Sequence, residues 1–525
     1  MLVSKMNQIQ ESGSIKRIAI IGGGISGLSA ACYLQQQRSL LSPDLKESIE
    51  LCLFESSSRV GGVIETLSTD LLPVDGLPNL KIVEKGADNF ATLMPDALEL
   101  SRLVGAQEML IRPNQESRLA RVVCRGKIYP IPEGFSLMQP AQLLPILKSP
   151  ILSFAGKLRL LGEYFVSERI SDGVSDGDES LKSFAIRRLG REAFDRLVEP
   201  IIGGIFTADA GLLSMQAAMP QFVEMERKFG GLIKAARCSA KSSSSRESND
   251  TKDAHRHSQS SQKATGARYD QFMAPRDGMN AWLQKIANWL PSGVVQLNSN
   301  IQHISLDQDQ RWSLHAKVSD IGLSPQAAEP FDAVIVATPS GVAARLISKV
   351  DPELSKCLAE IQYADSAVVC LCVERDEIAP EHHCFGIVVP RIEGRDCLAI
   401  SLTSEKYPGR TSVDKVLLRI FMGGAVRPEL MAKSDSELSD LAWREVQSLM
   451  HLKTKPIWQH VVRWPSAMPQ YHLGHLARLQ SLDARVDALP GLALAGNAYR
   501  GVGIPQCVRS GKIAAEKIFT RLLSE

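Results

Sequence analysis

Lys16-Arg17-Ile18-Ala19-Ile20-Ile21-Gly22-Gly23-Gly24-Ile25-Ser26-Gly27-Leu28-Ser29-Ala30-Ala31 is the stretch on which the fold turns. A short β-branched run enters a glycine-rich turn and a segment of helical character leaves it, the strand, turn and helix order of a dinucleotide-binding βαβ unit. Gly22 permits the tight turn and Gly23 continues it. Gly24 lets the backbone approach a pyrophosphate, and Gly27 lets the helix pack on the strand, so that the phosphate rests on the helix N-terminus. Glycine turns are common, and the pattern alone is weak. The next element adds to it: Ile49-Glu50-Leu51-Cys52-Leu53-Phe54-Glu55 reads as a second strand ending in an acid able to accept hydrogen bonds from adenosine ribose hydroxyls. Glu55 lies further from the loop than the usual spacing of about 20 residues, and the polar stretch 35–48 accounts for the excess as a longer helix or loop. The bland alternative is a surface carboxylate at a strand end.

With 525 residues the chain is too long for one hydrophobic core, so two or three cores are expected. Lys and Arg number 60 against 58 Asp and Glu, a balance without the basic field of a nucleic-acid binder. The ten cysteines are scattered, with no C-x-x-C pair and no Cys/His cluster at metal spacing, so reduced cysteines and no metal site are expected. No apolar stretch reaches the roughly 18 residues of a transmembrane helix, and the first ten residues lack the order of a secretory signal. The expectation is a cytoplasmic protein. One stretch leaves peripheral contact with the inner face of the cell membrane open: residues 140–161 are apolar with Lys148, Lys157 and Arg159 interspersed, fitting a helix lying on a bilayer or a lid helix with snorkelling cations.

Ser58-Arg59-Val60-Gly61-Gly62 follows the second strand and brings two more glycines and a guanidinium toward the same pyrophosphate. Glycine loop, acid and Arg-x-Gly-Gly together resemble the flavin-containing amine oxidase superfamily, and that resemblance implies FAD rather than NAD. Phe54, Glu55, Arg59, Gly61 and Gly62 then join Gly22, Gly23, Gly24 and Gly27 as cofactor candidates. Near the C-terminus, Leu492-Ala493-Leu494-Ala495-Gly496-Asn497 reads as a strand ending in a glycine turn, and Tyr499-Arg500-Gly501-Val502-Gly503-Ile504-Pro505 opens a helix with proline in its first turn. Exposed amides there would favour negative charge on a reduced flavin.

Closer still is a resemblance to the oxygen-dependent protoporphyrinogen and coproporphyrinogen oxidases, extending over nearly the whole chain apart from a Ser-rich insert. It rests on 84–90 (Glu-Lys-Gly-Ala-Asp-Asn-Phe), on 199–209 (Glu-Pro-Ile-Ile-Gly-Gly-Ile-Phe-Thr-Ala-Asp), on 463–471 (Arg-Trp-Pro-Ser-Ala-Met-Pro-Gln-Tyr) and on 499–506. The resemblance implies that Gly86, Ala87, Asp88, Trp464, Gly496, Val502, Gly503 and Ile504 line FAD and that the backbone of Val295 lies beside the adenine. It implies a substrate site at Gly203 and Gly204, with Val388 over the tetrapyrrole, Tyr407 stacked on one ring, and Arg118 or Arg121 on a propionate. Ala208 departs from the family's glycine.

The expected fold class is α/β, an FAD-binding Rossmann-like domain interleaved with a mixed-sheet substrate domain and a helical lid or membrane-facing domain. The FAD domain is drawn at 1–94, 269–314 and 461–525, the helical domain at 95–214, the substrate domain at 215–237 and 315–460, and a flexible insertion at 238–268. The resemblance implies six-electron oxidation of protoporphyrinogen IX by dioxygen, three hydride transfers to flavin with no catalytic side chain. Coproporphyrinogen III is the alternative substrate. An amine oxidase, or a flavin protein without turnover, is the more distant one. The same resemblance leaves open a homodimer and a downstream ferrochelatase partner.

Overall fold

The computed structural model describes residues 15–67, 80–115, 119–168, 177–238, 271–316 and 329–523. Its first sheet has five parallel strands: Lys16–Ile21 at the centre, Ile49–Phe54 and Ala333–Val336 beside it, and Val295–Gln296 and Leu492–Leu494 at the edges. The centre strands are apolar on both faces because helices cover both, which is the usual setting of a parallel sheet. Ile18 and Ile20 point into a core with Leu28, Trp282 and Ile518, whereas Ala19 and Ile21 point into another with Trp312, Leu346 and Leu479. Helices Ile25–Ser39 and Ile504–Leu522 cross closely on the first face. Ser29 Oγ donates to Val508 O at 2.8 Å, and a Cβ on Gly511 would lie 2.2 Å from Ser26 O, so only glycine admits this approach.

The second sheet has seven strands in the order Trp458–Pro469, Tyr363–Glu374, Lys415–Gly423, Cys397–Leu402, Gly386–Val388, Ala120–Cys124 and Lys127–Pro130. It is antiparallel except where Gly386–Val388 runs parallel to Ala120–Cys124. Helix Asp435–Met450 covers its outer face. A helical region packs at one end, with Phe184, Leu197 and Leu160 in its core, and closes on the sheet through helix Glu199–Phe206. Among the described residues no helix is long and apolar enough to cross a membrane.

These elements correct the boundaries drawn from sequence. Ala333–Val336, assigned to the substrate domain, is fully buried and pairs with Lys16–Ile21 in the nucleotide sheet, since its apolar run needs two covered faces. The hairpin at 120–130 and the strand Trp458–Pro469 belong to the seven-stranded sheet instead. Residues 215–229 form helices Met215–Ala218 and Pro220–Phe229 rather than strands. Most of the insertion, 239–268, and Arg118 lie outside the described residues.

Candidate active site

A cavity of about 570 Å³ runs from the end of the first sheet to the inner face of the second. Phe54, Glu55 and residues 299–301 line its first part. Glu55 Oε2 accepts from Gly23 N at 2.7 Å, while Oε1 accepts from Ser57 N and Ser57 Oγ, each at 2.8 Å. The carboxylate is therefore fixed against the glycine loop from the strand end, where a ribose diol can reach it.

Gly22 has φ 109°, and a Cβ there would lie 2.5 Å from Ala337 O. At Gly27 it would lie 1.9 Å from Gly22 O. At Gly24 a Cβ would meet nothing within 4 Å, because this residue faces the cavity. Gly24 caps helix Ile25–Ser39, whose first turn contains no acid, so its free amides and positive dipole end meet the open space uncompensated. Gly61 N donates to Gly23 O at 2.8 Å, which sets Gly62 beside Gly24 on the far wall. Two glycine walls and a helix N-terminus form a cradle that fits a diphosphate. Arg59 does not face it: Nη1 donates to Val60 O and Ile64 O, and Nη2 to Gly62 O and Glu65. The expected anion contact is replaced by a brace within the glycine turn, since the carbonyls of that turn lie nearer to the guanidinium.

Further along, Val63, Gly86, Ala87, Asp88, Trp464, Gly496, Val502 and Ile504 share the lining, with the Trp464 ring beside Gly86. Trp464 Nε1 donates to Lys85 O at 2.9 Å, and a Cβ on Gly86 would lie 2.7 Å from Val63 O. The C-terminal turn is tied down by Tyr471, whose hydroxyl donates to Asn497 O and accepts from Gly501 N at 2.8 Å, and by His475 Nε2, 2.8 Å from Tyr499 O. Helix Ile504–Leu522 starts here with Pro505 in its first turn and no acid there, presenting a second uncompensated N-terminus to the cavity. Such a site suits a flat ring that gains negative charge. FAD fits the residues present: acid for the ribose, glycine cradle for the diphosphate, helix end for the ring.

The remaining walls include Gly204, Ile205 and Thr207 from helix Glu199–Phe206 and the turn after it, and Val368, Arg419 and Phe421 from the second sheet. Thr207 adopts φ 47°, uncommon for a β-branched residue, and its carbonyl accepts from Ala425 N, joining helix to sheet. Asp88 Oδ2 lies 3.2 Å from Lys406 Nζ and 3.4 Å from Arg419 Nη1, and Arg419 Nη2 donates to Gly86 O. Burial by itself would raise the Asp88 carboxyl, but Lys406 and Arg419 outweigh it and hold it below its ordinary value.

Several residues named from sequence stand apart from this cavity. Gly203 is buried one position behind Gly204. Val388 pairs with Ala399, which packs near Gly204, and joins the helical core without being among the lining residues. Val295 joins the sheet edge through Leu53 without reaching the wall. Tyr407 is fully buried under Arg410 and does not line the cavity. Arg121 pairs with Ile387, on the sheet face opposite Val122 and Val388, so the pleat points it away. Phe421 and Arg419 were missed. An arginine inside the apolar run Val416-Leu417-Leu418-Arg419-Ile420-Phe421 was the signal, because a buried strand keeps a charge only with a partner.

A coproporphyrinogen III oxidase of Bacillus subtilis (strain 168) is 29% identical over 513 residues, covering 97% of this chain and 99% of that protein. Protoporphyrinogen oxidase 2, chloroplastic/mitochondrial, of Arabidopsis thaliana is 26% identical over 528 residues, covering 98% and 96%. A solved chain from Exiguobacterium sp. 255-15 has the same fold, with TM-score 0.75 at 24% identity over 96% of this chain and 99% of that one. Residues 25–519 match the family of flavin containing amine oxidoreductases, and the chain therefore belongs to that family and is an FAD-dependent oxidoreductase.

Proposed function

We propose that the protein oxidises protoporphyrinogen IX to protoporphyrin IX with dioxygen as acceptor. The observation that carries this reading is the lining of the substrate end of the cavity: Ile205, Val368 and Phe421 offer apolar and aromatic surface, and among the described residues no histidine or lysine lines it. A meso methylene between two pyrroles loses hydride to leave a stabilised cation, and the pyrrole N–H protons then leave readily, so no strong protein base is required. Bound FAD supplies the hydride acceptor. This chain's residues orient the macrocycle and exclude water. The names of both relatives, porphyrinogen oxidases over nearly their whole length, support the same substrate class.

Coproporphyrinogen III is the second reading, favoured by the name of the Bacillus subtilis relative. It bears two more carboxylates, and Arg419, already partnered by Asp88, is the one cation among the described lining residues. That scarcity favours the less charged substrate. The test is anaerobic mixing of the purified protein with each porphyrinogen and, separately, with a polyamine. Bleaching of the flavin band fastest with protoporphyrinogen IX supports the first reading, and fastest bleaching with coproporphyrinogen III supports the second. Bleaching by the amine alone removes both.

We further propose peripheral membrane contact through helices Leu143–Lys148 and Phe154–Leu161 and the turn after them. Leu144, Phe154, Leu158 and Phe165 are all exposed, Phe165 at 85%, beside Lys148, Lys157 and Arg159.

A further inference from the structure

Arg419 is the least expected residue in the cavity wall. It sits mid-strand in Lys415–Gly423, is wholly buried, and has Cys370 and Ser401 as its uncharged register partners. It faces the cavity as Phe421 does, two residues on. Its Nη1 is turned to Asp88 and its Nη2 to the carbonyl of Gly86, so the end-on fork is already engaged and only the buried Nε lacks a hydrogen-bond partner. Lys406 is a second cation on the same Asp88 oxygen, and its ammonium stands 4.4 Å from the Phe385 ring centre. One carboxylate thus serves two cations. Buried Arg410 and Glu84 add one group of each sign nearby, so with every group ionised the cluster carries one positive charge in excess; burial pulls Lys406 and Arg410 down and pushes Glu84 up, and contact with Asp88 is what favours the charged form of Lys406. Inside a protein an excess charge is weakly screened, and an anion in the adjacent space is favoured strongly. The hydrogen bond to Gly86 O fixes where that excess lies, at the segment 86–88 that lines the proposed ring end.

Resting on the FAD assignment of that end, we infer that Arg419, with Lys406 and Asp88, is a positioning and charge-setting group that raises the electron affinity of the flavin rather than a ligand of the substrate. Reduction and nucleophilic addition both place negative charge on the ring, and the surplus cation stabilises both.

The test uses sulfite, which adds to the oxidised ring without any other reactant, on the purified holoenzyme. Arg419→Met is expected to weaken sulfite binding about tenfold and to lower the two-electron midpoint potential by about 30 mV, the equivalent of that factor, with the KM for porphyrinogen within twofold of wild type. Lys406→Met removes the same charge from outside the cavity and should act in the same direction, and Lys406→Met with Asp88→Asn restores the balance and should recover sulfite affinity. An unchanged sulfite affinity and potential with a raised KM would overturn the inference and make Arg419 a substrate contact. If Arg419→Met does not fold, equal sulfite affinity in wild type, the Lys406 variant and the double variant overturns it instead. A protein that purifies without a flavin absorbance band shows that the FAD assignment, not this inference, has failed.

Discussion

Gly24 shows how much a single missing side chain decides. Gly22 and Gly27 are glycines because a Cβ would strike backbone, that of Ala337 for Gly22 and that of the loop itself for Gly27, whereas Gly24 is glycine with nothing of the protein in the way, so the space it leaves is for something else. Gly24→Glu puts a carboxylate where a diphosphate belongs, and like charge at close range in a site of low dielectric is strongly unfavourable. The variant is expected to fold yet to purify colourless, with an absorbance ratio at 450 to 280 nm of about a tenth of wild type or less, and a fully yellow variant would refute the cradle. The loop glycines and Glu55 were legible because they follow from local geometry, a tight turn and an acid at a strand end. Arg59 was not, because a guanidinium among glycines can serve either a phosphate or the carbonyls of its own turn, and only the closed turn shows that the carbonyls win. Arg121 failed for a similar reason: which way a strand residue points depends on register, and one position of slip exchanges cavity for core.

At the level of elements, the C-terminal turn and helix depend on His475. This imidazole is wholly buried, stacked 4.2 Å from the Tyr471 ring, and because Tyr499 O only accepts, Nε2 carries the proton and Nδ1 is left bare without a partner. Burial pushes its pKa down to about 4, aided by Arg478 and Arg500, against about 6.5 in an unfolded chain. The unfolded state therefore binds the extra proton first as pH falls. Stability contributed by neutral His475 is intact above pH 6.5, declines below it and is gone near pH 4, at most roughly 3 kcal/mol. His475→Gln keeps an N–H donor for Tyr499 O without a titrating group, so its melting temperature should fall less than that of wild type between pH 6.5 and 4. Superimposable pH profiles for the two proteins would sink this account. The helical element makes a separate prediction. Phe154→Asp with Phe165→Asp should abolish co-sedimentation with anionic vesicles if those exposed rings enter the interface, while leaving turnover of a soluble porphyrinogen within about twofold. The apolar stretch with interspersed cations was visible in the sequence, but a buried lid helix has the same composition. Exposure separates the two, and exposure is a property of the packed structure.

Across the whole molecule the chain passes between two sheets four times, from 54 to 120, from 130 to 295, from 336 to 363 and from 469 to 492. The interleaving itself was readable, because dinucleotide-type glycine turns stand at both ends of the sequence and must meet. The crossing points were not, since a four-residue apolar run such as Ala333-Val334-Ile335-Val336 suits either sheet until its partners are known. Neither sheet is built from one contiguous segment, and neither can keep its core while the other unravels, because strands of both are tethered through the same crossings. The cavity adds a second coupling: the glycine cradle belongs to the first sheet and Arg419, Phe421 and Trp464 to the second, so a bound dinucleotide bridges them. Thermal unfolding is accordingly expected as one calorimetric transition. FAD at a hundredfold excess over its Kd should stabilise the folded state by about 2.7 kcal/mol. With an unfolding entropy of about 2.1 cal/mol/K per residue, this displaces the whole transition upward by about 2–3 °C, a small shift because the molecule is large. Two resolved transitions, of which FAD moves only the first, would show that the sheets unfold independently and that the crossings do not couple them.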